Sequence, residues 1–159
     1  MTFINKIYII NYTKIDLKGG VIIMFDEIAK FLGKIDHDQK FVIYKVHKCH
    51  REQVYWMYPQ EFLNVQGNIQ VDELKPMSYM ECALKVRKGE ALVIPEVDSN
   101  SHDGRHRVLF FYLNCKNHLL PIWIFGDYNS KDKLTTNIPH DVITEEIGDY
   151  IYFKIPTGL

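Results

Sequence analysis

One short stretch limits the possible fold of this chain more than any other. It reads His102-Asp103-Gly104-Arg105-His106-Arg107 and runs directly into the apolar segment Val108-Leu109-Phe110-Phe111-Tyr112-Leu113. Glycine adopts a positive φ without steric cost, so the pattern predicts a turn at Gly104 that opens a buried helix. Strand-like apolar segments flank this unit at 93–97 and 119–125, which gives the order strand, glycine turn, helix, strand.

The residue types in the turn favour an anionic ligand. The first N–H groups of a helix lack intrahelical acceptors, and the helix dipole adds positive charge there. Arginine donors match phosphate oxygens, and a glycine lets the backbone approach a ligand closely. Gly104, Arg105, His106 and Arg107 are therefore predicted to bind phosphate or a nucleotide. The alternative is that the cluster is a solvated rim at the start of a helix.

Four pieces of sequence, in order, carry a resemblance to a known family. They are Tyr58-Pro59-Gln60-Glu61-Phe62-Leu63, then Lys88-Gly89-Glu90-Ala91-Leu92 with Ile94-Pro95, then Asp103-Gly104-Arg105-His106-Arg107, and finally Leu120-Pro121-Ile122-Trp123-Ile124. Over residues 57–125 the chain resembles the ParB/sulfiredoxin-like superfamily. The resemblance implies that family's fold, in which a G-x-H-R or G-x-x-R turn opens a helix that holds nucleotide phosphates.

Two departures limit what the resemblance implies about chemistry. Sulfiredoxins have a cysteine directly after the turn glycine, where this chain has Arg105, so sulfinic-acid reduction is not expected. ParB-type CTPase turns often have a glutamate at that position and a further arginine where this chain has Leu109. The phosphate-binding role of Gly104, His106 and Arg107 is the part of the resemblance that transfers best.

Carboxylates beside the turn are the candidates for catalysis. Phosphoryl transfer or phosphodiester hydrolysis needs a group that holds Mg²⁺ or accepts a proton; Asp103 is the first choice and Glu96 the second. The cofactor would then be ATP or another NTP with Mg²⁺. The alternative for Asp103 is an Asx-type bond that orders the loop. No protein metal site is predicted, because His47-Lys48-Cys49-His50 lacks the spacing of a zinc motif.

The composition of the chain limits its class of protein, its charged partners and its cellular compartment. Its 159 residues suit one domain, and a hydrophobic fraction of 47% with 25% charged residues is typical of a globular protein. The net charge of −1 gives no overall attraction to nucleic acid or acidic membranes. Three widely spaced cysteines argue for a reducing compartment, and no apolar run reaches transmembrane length. We therefore predict a cytoplasmic protein without a membrane partner.

The predicted fold class is α+β: a small mixed sheet flanked by short helices, with the Gly104 turn at the mouth of a cleft. Strands are predicted at 41–46 and 54–57, paired as a hairpin, and at 150–155. Helices are predicted at 25–32, from Pro59 to a stop at Gly67, and from a capping box at Ser78 to a stop at Gly89. The segment 127–148 reads as a long polar connector.

The domain layout contains one open question about the native start. We predict a single domain over 24–159, with a core over 54–126 and a C-terminal excursion over 127–159. Residues 1–23 form an N-terminal extension. Because Lys18-Gly19-Gly20 can be encoded by a bacterial ribosome-binding sequence, Met24 is an alternative to Met1 as the first native residue.

Three functions stay open at this point. The leading hypothesis is a nucleotide- or phosphate-binding domain. The superfamily that the chain resembles includes NTP-hydrolysing switches, small-molecule kinases and proteins assigned as nucleases. If the chain is an enzyme, the resemblance therefore implies an NTP-dependent phosphotransferase, an NTPase or a nuclease. The first alternative is a non-catalytic nucleic-acid-binding module with a basic patch of Lys85, Arg87, Lys88, Arg105 and Arg107. The second is a partner-blocking module of phage or mobile-element origin.

Overall fold

The computed structural model describes residues 35, 38–65, 76–98, 101–126, 128 and 131–159. Within these residues we label eight strands and three α-helices in chain order. They are β1 (Phe41–His47), β2 (Val54–Met57), α1 (Pro59–Val65), α2 (Pro76–Arg87), β3 (Leu92–Val93), β4 (Glu96–Val97), β5 (His102–Asp103), α3 (Arg105–Asn114), β6 (Leu120–Ile124), β7 (Ile143–Ile147) and β8 (Tyr150–Pro156). Two 3-10 helices, Lys48–Gln53 and Lys131–Lys133, complete the described elements.

The strands form two four-stranded mixed sheets, so the fold class is α+β. The first sheet has the order β3-β1-β8-β7, and the second has the order β2-β6-β4-β5. In the first sheet β1 pairs antiparallel with β8 along its whole length and parallel with β3. The prediction of α+β is confirmed, but the chain builds two small sheets where one was expected.

The predicted hairpin between 41–46 and 54–57 is wrong. Both strands exist, but β2 pairs with β6 in the second sheet, while β1 pairs with β8 and β3 in the first. The polar residues between them form the 3-10 helix Lys48–Gln53, which joins the two sheets. The length and polarity of a segment predict that it forms a strand, but they do not determine which strand it pairs with. The antiparallel partner of β1, strand β8, lies more than a hundred residues further along the chain.

Alternating residues of the first sheet supply one wall of the core. Val42, Tyr44 and Val46 of β1 are buried, and their register partners on β8, Ile155, Phe153 and Ile151, are buried as well. The side chains between them are half-buried or exposed, as expected for an antiparallel pair with one covered face. Trp56 of β2 meets Phe153 edge-on at 5.3 Å and joins the second sheet to the first.

Helix α3 lies at the centre of the helical packing. Its residues Val108 to Phe111 are buried, as the apolar run predicted. Helices α1 and α2 both pack on α3. Phe110 meets Tyr79 of α2 with ring centroids 5.5 Å apart, and Phe111 meets Tyr44 of β1 at 6.4 Å. The helix is therefore held between the first sheet and α2.

Several element boundaries differ from the prediction. Helix α2 begins at Pro76, so Ser78 lies inside its first turn and is not the cap of the helix. The strand expected at 93–97 is two short strands, because Ile94 and Pro95 separate β3 from β4. The predicted connector 127–148 contains β7. The helix at 25–32, its proposed start at Met24 and the helix stop at Gly67 lie outside the described residues.

Candidate functional site

A cavity of about 600 Å³ opens at the glycine turn. Its described walls come from four separate segments: β1, helix α2, the residues that lead into and form β3, and the turn 102–107. A volume of this size lies within the range of small-molecule sites, which is roughly 300–1,000 Å³. The turn thus borders a partly open space large enough for a nucleotide-sized ligand.

Most of the residues predicted for the site lie together on this cavity. Gly104, Arg105, His106 and Arg107 all line it, and so does Asp103. The exception among the predicted residues is Glu96. It lies opposite Asp103 in the β4–β5 pair, is half-buried, and is absent from the cavity lining.

The conformation of Gly104 explains why a glycine occupies the turn. Its φ is +103°, in the region that favours glycine, and it caps α3 without a side-chain hydrogen bond. A Cβ at this position would lie 2.9 Å from the Cα and Cβ atoms of Pro95 and 2.7 Å from Nη2 of Arg107. These distances are too short for a side chain, so the backbone of the turn packs directly on Pro95 with Arg107 folded over it.

Arg107 is a largely buried and incompletely compensated charge at the site. Its side chain is only 21% exposed, and its Nη2 lies 3.6 Å from Oδ2 of Asp103, whose own side chain is 72% exposed. In the part of the chain that the structure describes, the buried Nε of Arg107 has no hydrogen-bond partner. A buried donor without an acceptor is destabilising by roughly 1–3 kcal/mol, and more when it is charged. A bound anion that accepts hydrogen bonds from the Nη nitrogens would compensate the charge of the guanidinium.

Tyr44 of the first sheet contacts the first turn of α3 at Arg107. The hydroxyl of Tyr44 donates to the carbonyl oxygen of Arg107 over 3.4 Å. Tyr44 is fully buried, and burial raises the pKa of its phenol well above the usual value. The hydroxyl is consequently a neutral donor that anchors the first turn, not a source of negative charge against the cavity.

Further basic residues reach the cavity from β1 and α2. Lys45 comes from β1, where its register partner is Val93, and its Nζ lies 5.2 Å from the centre of the Tyr150 ring. Lys85 comes from α2 and forms an ion pair of 3.6 Å with Glu81, which also lines the cavity. Among the described residues of the lining, four are basic and two are acidic. The cavity is therefore locally positive although the whole chain carries a net charge of −1.

Sequence reasoning found these additional residues only in part. Lys85 was expected in a basic patch with Arg105 and Arg107, and all three line the cavity, whereas Arg87 and Lys88 are absent from its lining. Lys45 was not predicted. It sits at a half-buried position of a strand, and only the pairing of β1 with β3 brings it to the turn.

The thiols near the site are not activated nucleophiles. Cys82 lines the cavity, and burial raises the pKa of its thiol although the charge of Arg107 opposes that shift. Burial also raises the pKa of Cys115, to about 12. A thiol with a raised pKa is a poor nucleophile near neutral pH, because little thiolate is present.

The His47-Lys48-Cys49-His50 segment forms local contacts in the structure. Nδ1 of His47 accepts a hydrogen bond from the backbone N–H of Cys49 at 3.1 Å, and the His50 ring stacks on Trp123 with centroids 3.8 Å apart. Across the described ranges, no group of three or more histidine, cysteine, aspartate or glutamate side chains is arranged to hold a metal ion.

Comparisons with protein-family models, with curated proteins and with solved structures each gave no match to this chain. Separately, none of the helices in the described segments combines the length and the apolar character needed to cross a membrane. The case for a function therefore depends on the cavity itself.

Proposed function

We propose that the chain binds a nucleotide or a related phosphorylated molecule in the cavity beside Gly104. The observation that carries the proposal is the state of Arg107: a largely buried guanidinium with an unpartnered Nε and one long ion pair. Phosphate oxygens accept several charge-assisted hydrogen bonds from one guanidinium, so a phosphate would satisfy this group better than Asp103 does.

The surroundings favour a phosphate over a smaller anion. Arg105, Lys85 and Lys45 add positive charge around the same space, and the N-terminus of α3 adds the positive end of its dipole. The apolar atoms of Ala91 and Leu92 form part of the wall. A ligand that carries both a phosphate and an apolar body, as nucleotides do, matches this division of the lining.

If the ligand is a triphosphate, one of the two carboxylates of the cavity, Asp103 or Glu81, would hold Mg²⁺. Asp103 is the better placed, because its side chain is largely exposed and lies next to the turn, whereas Glu81 pairs with Lys85. Oxygen ligands and one or two carboxylates are what Mg²⁺ takes beside a phosphate chain. A phosphotransferase or NTPase reaction would therefore use Asp103 and not Glu96.

Calorimetric titration of ATP, ADP, CTP and GTP, each with and without Mg²⁺, tests the proposal. We expect one of these nucleotides to bind at a single site and Arg107→Ala to weaken that binding by roughly 1.5–3 kcal/mol, about 10- to 150-fold in Kd. Lys88→Ala is the matched control, since Lys88 is a basic residue near α2 that is absent from the lining. Equal affinity in both variants would mean that the site is wrong.

A second variant separates the two roles considered for Asp103. Asp103→Asn removes the carboxylate that competes for Arg107, so we expect Mg²⁺-free ATP to bind more tightly by roughly 0.2–1 kcal/mol, the range of an exposed pair. The same variant should lose the affinity that Mg²⁺ adds, while Glu96→Gln changes neither quantity. A Mg²⁺ effect that survives Asp103→Asn would exclude Asp103 as the metal ligand.

Short single-stranded and duplex DNA in the same titrations distinguish a nucleic-acid site. A binder of nucleic-acid phosphates loses affinity steeply as salt rises and accepts any long polyanion. A nucleotide pocket discriminates among bases and saturates at one ligand. Binding of DNA with a steep salt dependence, and no binding of any nucleotide, would replace the proposed function with a non-catalytic nucleic-acid module.

A further inference from the structure

Lys45 differs from Arg107 and Lys85, two other basic residues of the cavity, in the group that holds its charge. Arg107 and Lys85 each have a carboxylate partner at 3.6 Å. Within the described part of the chain no carboxylate pairs with Lys45, whose Nζ lies 5.2 Å from the centre of the Tyr150 ring. The charge of Lys45 is therefore not neutralised by an acid and is available to an anionic ligand.

The contact of Lys45 with the ring is weak enough for a phosphate to replace it. A lysine over an aromatic ring at an exposed site gains about two- to fivefold in an equilibrium constant, and Tyr150 is 39% exposed. A charge-assisted hydrogen bond to a phosphate oxygen gains about 10- to 150-fold. Because the ammonium group lies at the end of a flexible stem, the side chain can turn from the ring to the ligand without a backbone change.

Backbone contacts fix the position of Lys45 relative to the glycine turn. The N–H of Ile94 donates a hydrogen bond of 3.0 Å to the carbonyl oxygen of Lys45. The next residue, Pro95, packs directly on Gly104. These two contacts connect the middle of β1 to the turn, and both Lys45 and the turn 102–107 border the cavity.

The positive groups of the cavity thus come from two different walls. The turn offers the guanidinium of Arg107 and the N-terminus of α3, which together suit one phosphate. The ammonium of Lys45 comes from β1 and suits a second one. Neighbouring phosphates of an anhydride share a bridging oxygen, so a second phosphate lies beside the first and extends from the turn toward another wall.

We propose that Lys45 binds a second phosphate group of the ligand, so that the cavity selects a diphosphate or triphosphate chain over a single phosphate. The inference rests on the proposed function, because the first phosphate is taken to lie on Arg107. It adds a residue that determines specificity and a local movement. The ammonium of Lys45 leaves the Tyr150 ring when the second phosphate binds.

Orthophosphate and pyrophosphate test this inference without a nucleobase. Amide NMR spectroscopy of the isotope-labelled full chain gives the Kd of each anion from the shifts of Arg105 and His106, in the first turn of α3. Pyrophosphate should bind at least about tenfold more tightly than orthophosphate. Lys45→Met should weaken pyrophosphate binding about tenfold and leave orthophosphate binding within about twofold. Lys45→Arg, which keeps the charge, should stay within about threefold of the original chain for both anions.

Lys85→Met is the matched control, because it removes the same charge from the same cavity lining. A general loss of positive potential would weaken pyrophosphate binding equally in the Lys45 and Lys85 variants. The proposal requires a loss in Lys45→Met that is at least about fivefold larger. Tyr150→Leu removes the ring that competes for the ammonium, so it should tighten pyrophosphate binding about two- to fivefold. The amide spectrum of each variant also checks that the chain is folded.

The results separate a failure of this inference from a failure of the proposed function. If Arg107→Ala weakens both anions while Lys45→Met weakens neither, or weakens both alike, a phosphate binds at the turn and Lys45 does not select a second one. Equal losses in Lys45→Met and Lys85→Met likewise overturn this inference alone. If neither anion binds at up to about 20 mM, or if Arg107→Ala leaves both unchanged, the cavity is not a phosphate site and the proposed function fails as well.

Discussion

Gly104→Ala should destabilise the fold much more than the same change at Gly89. Both glycines have a positive φ, +103° at Gly104 and +73° at Gly89, so alanine is strained at either position. The two sites differ in their surroundings. A Cβ at Gly89 meets no atom within 4 Å, whereas a Cβ at Gly104 lies 2.9 Å from two atoms of Pro95, one of them backbone.

The magnitudes follow from these two contributions. The left-handed backbone strain is about 1–2 kcal/mol for a non-glycine residue, and it applies at both sites. Overpacking against a neighbour that cannot move adds about 1–3 kcal/mol at Gly104 alone. The Arg107 side chain can change its rotamer, so its contact with the added Cβ contributes little to this overpacking cost. We expect a loss of roughly 1–2 kcal/mol for Gly89→Ala and roughly 2–5 kcal/mol for Gly104→Ala.

Urea unfolding of the two variants and the original chain measures the difference. The slope of the free energy against urea should be unchanged, so the midpoints alone report stability. Against a total stability of about 5–15 kcal/mol, a loss of about 2 kcal/mol leaves Gly104→Ala folded in water, whereas a loss of about 5 kcal/mol would unfold a chain at the lower end of that range. Equal destabilisation by the two substitutions would refute the packing of the turn on Pro95, and with it the account of why a glycine occupies that position.

Two further predictions concern residues outside the turn. Nε2 of His118 lies 3.0 Å from the carboxylate oxygens of Asp141, and this hydrogen bond lowers the pKa of Asp141. The stabilisation from this hydrogen bond is fully present above the unfolded-state pKa of about 3.9 and is lost as pH falls through the lower pKa of the folded state. Asp141→Asn should therefore reduce the free energy of unfolding by roughly 0.2–1 kcal/mol at pH 7. In urea titrations this difference should vanish at strongly acidic pH. Against Ellman's reagent, exposed Cys49 should react first, and buried Cys82 and half-buried Cys115 should react much more slowly, because burial raises the pKa of both thiols. Fast labelling that persists in Cys49→Ser would contradict this order.

The local part of the fold was predictable from sequence because its signals are local. Gly104 is the residue that tolerates the required φ, the apolar run 108–113 buries one side of α3, and the strand at 119–125 is observed as β6. The same holds for the C-terminal strand, observed as β8, whose alternation marks one buried face. Each of these depends on neighbours within a few residues.

Strand partners could not be predicted, because pairing depends on residues far apart in the chain. β1 was expected beside β2, its next neighbour in sequence, yet it pairs with β8. The sequence of β7 does not have the alternation of apolar and polar residues that predicts a strand with one buried face. In the structure all five of its residues are exposed. Lys45 was missed for the same reason: its place at the cavity follows from the β1–β3 pairing, not from the residues beside it.

The packing of α3 explains why the turn can form a site before any ligand binds. Tyr44 holds the helix from the first sheet, through a ring contact with Phe111 and a hydrogen bond to the carbonyl of Arg107. Tyr79 holds it from α2 through Phe110. The start of the helix is thus fixed by the core, and the ordering of the turn does not have to come from ligand binding energy. If the proposed function is correct, a phosphate on the Arg107 guanidinium would gain affinity there without a change in backbone structure.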